Sequence, residues 1–296
     1  MYHLPVMYNQ CLDALVTDPN GTYVDITFGG GGHSKGILER ISKKGRLYAF
    51  DTDPDANSNN IQDDRFMLIN ANFRYLKKFL RLYNIDKVDG ILGDLGVSSY
   101  QFDTAERGFS LRFEGELDMR MSKNGKSAQE ILQNYDAKQL TEILSNYGEI
   151  TNAKALANAI IDARKTQPIL TTFDLIKVCE KFAYGKKVKY YAQVFQAIRI
   201  EVNEEIDALH EFLTQSVSAL KTGGKLVVLT YHSLEDRPVK NFIKTGTFDG
   251  NINKDMFGNF ETPYIAFPKK PILPTNEEIN LNNRSRSAKL RIAVKK

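Results

Sequence analysis

The sequence predicts an α/β fold, a Rossmann-like and mostly parallel sheet with a small helical domain inserted into it. Three observations carry this. Short apolar runs alternate with helix-compatible stretches at the start of the chain, the pattern of a parallel sheet built from right-handed crossovers. Four consecutive glycines, 29–32, follow directly on the first apolar run. The fifth strand-like run comes about 130 residues after the fourth, far too long for one crossover, and the stretch between them reads as helical.

In order, residues 22–27 form a first strand, 34–42 a helix, 46–50 a second strand and 66–70 a third. Residues 76–83 form a helix and 88–92 a fourth strand. Within the gap, Ser127-x-x-Glu130 is a capping box ahead of Ile131 and Leu132. Asp136 caps a helix over 137–146, and Gly148 stops it. Residues 152–165 carry Ala155, Leu156, Ala159, Ile160 and Ala163 at helical spacing, closed by Pro168. Thr172 caps a helix reaching Phe182. Residues 191–220 are helical with a break near Asn203, and 225–230 form the fifth strand. Residues 288–294 alternate apolar and basic side chains, as an outer strand with one exposed face does. The expected domains are therefore 1–104 with 191–296, and an inserted helical substrate-recognition domain over 105–190.

The chain has 296 residues, 42% hydrophobic and 26% charged, which excludes a mostly disordered protein. No apolar run approaches the ~18 residues of a membrane span. The amino terminus lacks a basic segment followed by an apolar one, so no secretory signal is expected. Two cysteines, Cys11 and Cys179, make no disulfide framework and fit a reducing compartment. A cytoplasmic protein with no membrane partner is the expectation. The net charge is +4, and residues 240–296 hold 11 Lys/Arg against 5 Asp/Glu, giving +6 there and −2 before. That concentration hints at a polyanion partner.

Glycines after a first strand let the backbone approach a ligand closely. Asp51 closes the second strand, about 20 residues after Gly31, where an acid accepts hydrogen bonds from ribose hydroxyls. Strand, glycine turn, helix, strand, acid is a nucleoside-cofactor pattern. The dinucleotide fingerprint fails, because its third glycine would fall on Ser34 or Lys35, and no phosphate-loop lysine motif is present. An NAD-dependent oxidoreductase is thereby disfavoured. Asp25, at the strand end, suits a cationic ligand, which points to S-adenosylmethionine with its sulfonium and amino groups. There Asp25 either holds the amine or orders the loop. Phe73 is either a purine-stacking ring or core. His33 either contacts the methionine carboxylate or serves the turn.

Asp94 ends the fourth strand, beside the first at the point where ligands bind open α/β sheets. Gly29–His33, Asp51-x-Asp53-Pro, Asp94-Leu-Gly-Val-Ser-Ser99 with Gln101, Arg107-Gly-Phe-Ser with Leu117-Asp-Met-Arg-Met121, His232-Ser-Leu-Glu-Asp-Arg237, and Arg284-Ser-Arg-Ser-Ala-Lys-Leu-Arg291 occur in that order. Together they resemble the bacterial ribosomal RNA small-subunit methyltransferase H family, from His3 to the end of the chain. The resemblance implies a class I S-adenosylmethionine-dependent methyltransferase that methylates N4 of one cytidine in the decoding region of 16S RNA. It implies 16S RNA and the small ribosomal subunit as partners, with a homodimer left open. It implies cofactor contacts at Gly31, Gly32, His33, Asp51, Phe73, Asp94 and Gln101. Departures from the family pattern are Gln10 for Glu, Tyr100 and Glu116 for Pro, Tyr231 for Phe and Asn283 for Pro. None is expected to touch a cofactor contact.

An exocyclic amine needs alignment with the methyl group and an acceptor for its proton. The Pro-Pro-aromatic motif of DNA amino methyltransferases is absent, which counts against a DNA substrate. The acceptor is left open between Asp118 and His232, each of which also has a plain structural reading. Arg107, Arg112 and Arg120, with Phe109, and the tail residues Arg284, Arg286, Lys289 and Arg291 are the candidate RNA contacts. His3, His33, His210 and His232 make no metal-ligand spacing with the cysteines, so no metal is expected. The competing reading is a non-catalytic RNA-binding or ribosome-assembly protein that retains the nucleoside pocket.

Overall fold

A computed structural model describes residues 5–296 apart from 253, 255 and 259; His3 lies outside the described residues. The chain divides into two compact units, Met1–Gly96 with Ile206–Lys296, and Val97–Glu205.

The first unit holds a seven-stranded sheet. Its strands are β1 (Thr22–Asp25), β2 (Arg46–Asp51), β3 (Phe66–Asn70), β4 (Val88–Asp94), β5 (Leu220–Thr230), β6 (Tyr264–Ala266) and β7 (Lys289–Lys295), in spatial order β3-β2-β1-β4-β5-β7-β6. Pairings from β3 to β5 are parallel, and β7 runs antiparallel to both β5 and β6. The mostly parallel sheet is the one expected from the sequence. Helices α1 (Tyr8–Leu15) and α2 (Gly32–Arg40) bring Leu12, Leu15 and Ile37 onto one face with Tyr23, Leu47 and Leu229. On the other face α3 (Leu76–Leu82) and a helix over Glu205–Ala219 bring Leu76, Leu80, Leu209 and Phe212 onto Val24, Phe50 and Ile91. Covered on both faces, β1 and β4 are almost wholly buried, which is why they read as apolar runs rather than alternating ones.

Two expectations about the sheet need correction. Residues 288–294 do not form its outer strand: β7 lies inside β6, which takes the edge. With three residues, β6 is too short to show a period. The fifth strand also begins five residues earlier than expected, at Leu220, where Thr222, Gly223 and Gly224 hide the pattern.

The second unit is helical. It contains α4 (Ser99–Asp103), α5 (Ala128–Asn134), α6 (Ala137–Asn146), α7 (Ala153–Thr166), α8 (Thr172–Cys179) and α9 (Lys187–Asn203). Ser127 and Asp136 close capping boxes as read. On α8 the cap is Thr171, one residue before the expected Thr172, whose hydroxyl instead donates to the Phe113 carbonyl. Leu140, Leu144, Leu156, Ile160, Leu175 and Ile198 pack into one buried core. That core takes in α9, so this unit starts and ends further out than 105–190. The break between α9 and the following α10 (Glu205–Ala219) falls at Glu204, in the left-handed region at φ 49°. Asn203 holds it by donating to the carbonyls of Met119 and Arg199 and accepting from Met121 N–H. The remaining helices, α11 (Ser233–Thr245) and α12 (Asn276–Leu281), belong to the first unit. No helix among the described residues is long and apolar enough to cross a membrane.

Candidate functional site

The carboxyl ends of β1, β2 and β4 meet where the strand order turns, with β1 between β2 and β4. The glycine loop leaves β1 there. Gly31 caps α2 at φ 74°, and a Cβ on it would sit 3.0 Å from the Phe28 ring. Only glycine meets both demands without strain. A Cβ on Gly30 would meet nothing within 4 Å, so the loop backbone is open on that side. Gly32 packs so closely on Pro5 that a Cβ would come within 2.4 Å of its ring.

Asp51 closes the loop from β2. Its Oδ2 accepts Gly29 N–H at 2.7 Å, and its Oδ1 accepts Asp53 N–H at 2.8 Å. Each oxygen keeps a lone pair for a further donor. Burial lifts the Asp51 carboxyl to about 6, against the two backbone hydrogen bonds that favour its charge.

Asp25 is buried and spends both oxygens on its own loop, accepting Ser34 Oγ at 2.7 Å and Thr27 N–H at 3.1 Å. Of its two expected roles, ordering the loop is the one its geometry fills. His33 is buried too. Its Nε2 lies 3.2 Å from the Val6 carbonyl, and burial lowers its pKa in spite of Asp25. A carbonyl only accepts, so the Nε2 nitrogen carries a proton. That bond ties the start of α2 to the amino-terminal segment. Phe73 is half-buried, edge-on to Phe212 with centroids 5.7 Å apart.

Asp94, at the tip of β4, accepts a hydrogen bond at Oδ1 from Tyr231 Oη, 2.6 Å away. Its Oδ2 lies 3.7 Å from His33 Nδ1. Thr27 Oγ1 accepts its N–H at 2.7 Å. One departure from the family pattern therefore does touch an expected cofactor contact, contrary to the sequence reading. Tyr231 ends an apolar run, and a tyrosine there reads as core; only the fold shows what its hydroxyl meets.

The two acceptor candidates differ. Burial pushes the Asp118 carboxyl up, but hydrogen bonds from Arg120 at 2.9 and 2.7 Å outweigh it and hold it below the ordinary range. A carboxylate so paired is a weak base. His232 precedes α11, with Nε2 3.1 Å from the buried Glu235.

The candidate RNA contacts also separate. Arg107 is buried and donates to the carbonyls of Arg120 and Met121, so it braces its own loop instead of facing out. Arg120 is committed to Asp118, and Arg112 is exposed beside Asp103. In the tail, Arg291 and Lys289 turn onto Asp236, while Arg284 and Arg286 stay exposed. The tail pattern thus mixes two jobs that the sequence reading merged. Gln101, in the helical unit, is buried and closes a capping box with Ser98.

The family model described as the MraW methylase family matches residues 1–296. The ribosomal RNA small subunit methyltransferase H of Flavobacterium psychrophilum is 55% identical over 292 residues, spanning 98% of this chain and 100% of that protein. The protein of the same name from Phocaeicola vulgatus is 51% identical over 298 residues, 100% of this chain and 98% of the other. Among solved structures, an rRNA methylase from Streptococcus thermophilus aligns at 13% identity and TM-score 0.43, over 97% of this chain and 93% of that one.

Proposed function

The chain belongs to the MraW methylase family, and from that premise we propose that it is an S-adenosylmethionine-dependent methyltransferase of small-subunit ribosomal RNA. Its target in this reading is the N4 amine of one cytidine in the decoding region of 16S RNA. The observation that carries it is the Asp51 carboxylate, fixed by Gly29 and Asp53 N–H with a lone pair left on each oxygen, beside a glycine backbone open to a ligand. Those features fit a nucleoside with a 2′,3′-diol. When bound, S-adenosylmethionine supplies an already activated methyl group.

Asp51 accepts the ribose hydroxyls, and the backbone at Gly30–Gly32 borders the methionine part. Phe73 and Gln101 are further cofactor contacts in this reading. Asp94 lies at the end of β4 beside the loop, where it orients the bound molecule and the incoming base. The base must leave its stack to reach the crevice. Arg112, Arg284 and Arg286 are the exposed cations assigned to RNA phosphates.

Three measurements test the reading. S-adenosylhomocysteine should raise the melting temperature and NAD should not; a shift with NAD alone would point to an oxidoreductase. Mass mapping of small-subunit RNA after incubation should place one methyl on a cytidine N4. A methyl elsewhere would reassign the target, and none at all would favour the RNA-binding alternative. In the third, Arg284→Ala/Arg286→Ala should lower the slope of log RNA affinity against log salt by roughly 0.7–0.9 per residue. Cofactor affinity should stay unchanged. An unaltered slope with lost cofactor binding would assign this tail to the fold.

A further inference from the structure

Tyr231 is fixed at both ends. Its N–H donates to Glu235 Oε2 at 2.9 Å, and its hydroxyl donates to Asp94 Oδ1 at 2.6 Å. With Oδ1 occupied, Oδ2 is left facing His33 Nδ1, and 25% of the Asp94 side chain remains exposed. The titratable groups around Asp94 are Tyr231, His33, Cys11, Asp25 and Glu235. His33 donates its Nε2–H to the Val6 carbonyl, and burial lowers its pKa.

We propose that Asp94 takes the amine proton during methyl transfer, and that Tyr231 positions it for that step. This rests on the reading of the crevice as an RNA methylation site. The amine lone pair forms the new N–C bond while the S–C bond breaks and its electrons leave with sulfur. One N–H proton passes to Asp94 Oδ2, and its bonding pair stays on nitrogen. The products are the methylated amine, a neutral thioether and a protonated Asp94, which returns its proton to solvent at its exposed edge.

The chemistry of the site supports the assignment. Burial and the charge of Glu235 raise the Asp94 carboxyl to about 7, against the Tyr231 hydrogen bond, which lowers it. A base poised near the working pH is suited to proton transfer. Asp118, held low by Arg120, is not. Tyr231 keeps Asp94 from rising further, because a hydrogen bond to the charged form favours that form. Its own hydroxyl is pushed well above the ordinary phenol range, by burial first and then by Asp94, so it stays a donor.

The test is Tyr231→Phe in the full chain, which keeps the ring and removes only the hydroxyl. Carbon-13 NMR of labelled aspartates, with Asp94 assigned through Asp94→Asn, should show the Asp94 midpoint rising by about one pH unit. The acid limb of kcat against pH, on unmodified small-subunit RNA, should move up by the same amount. Affinity for S-adenosylhomocysteine at pH 8 should change by no more than about twofold, since Asp94 is still about half ionised in Tyr231→Phe there. Asp94→Asn should lose at least about 100-fold in kcat while still showing a thermal shift with S-adenosylhomocysteine. An unmoved midpoint overturns the role of Tyr231. A moved midpoint with an unmoved kcat limb, or Asp94→Asn within about tenfold of wild type, overturns Asp94 as acceptor. Wild-type protein that binds S-adenosylhomocysteine but leaves the RNA unmethylated overturns the substrate reading and the proton step with it. The carboxyl titration would still decide the Tyr231–Asp94 pair.

Discussion

Asp236→Ala should destabilise the first unit by about 3–5 kcal/mol, the cost of stranding one member of a buried ion pair. Asp236 accepts Arg291 Nε at 2.6 Å and a second guanidinium nitrogen at 3.1 Å, with only 11–12% of either side chain exposed. Lys289 adds a contact at 3.4 Å. Removing the carboxylate leaves the Arg291 guanidinium under α11 with its charge uncompensated. Calorimetric melting checks this, and Asp236→Ala/Arg291→Met should recover part of the loss by removing the stranded charge. A melting temperature unchanged in Asp236→Ala would show that solvent reaches the pair. The pH dependence has a definite sign. Burial raises the Asp236 carboxyl, but the hydrogen bonds and charge of Arg291 outweigh it, so its folded pKa lies below the ordinary value. The pair therefore stabilises the fold at and above the usual carboxylate range. That contribution is lost only as pH falls below it toward the depressed folded value.

Asp51→Ala should weaken S-adenosylhomocysteine binding by ~1–3 kcal/mol, or about 5- to 150-fold, the range for a hydrogen bond to a charged acceptor. Titration calorimetry measures this directly, and unchanged affinity would remove Asp51 from the ribose site. Its pH dependence provides a second readout. The folded pKa is raised to about 6, so without ligand the buried charge costs stability above pH 6. That cost is relieved as pH falls toward the unfolded value near 4. Ribose hydroxyls donate to the ionised form, so wild-type affinity should fall below pH 6, by up to about tenfold per pH unit. Asp51→Ala should lose that component and keep any titration centred near 7, where Asp94 is expected to ionise.

Legible from the residues alone were the positions of the first four strands along the chain, the glycine turn, the acid at the tip of β2 and the capped helices α5 and α6. Each of these is written in local chemistry. Continuous apolar runs mark strands buried on both faces, four adjacent glycines mark a backbone that passes close to something, and Ser127 and Asp136 cap through residues three positions away. The rest depends on what lies opposite each residue and came from the fold. The fold placed the three-residue β6 outside β7, an edge position that no period in so short a run could reveal. It divided the tail cations, sending Arg291 and Lys289 to Asp236, 55 and 53 residues away, while Arg284 and Arg286 remained exposed; in sequence all four look alike. It also turned the Tyr231 hydroxyl toward Asp94, 137 residues distant. A hydrogen bond between the end of β4 and the residue just past β5 leaves no trace in either segment, since its geometry is set by the parallel register of β4 on β5 and not by spacing along the chain.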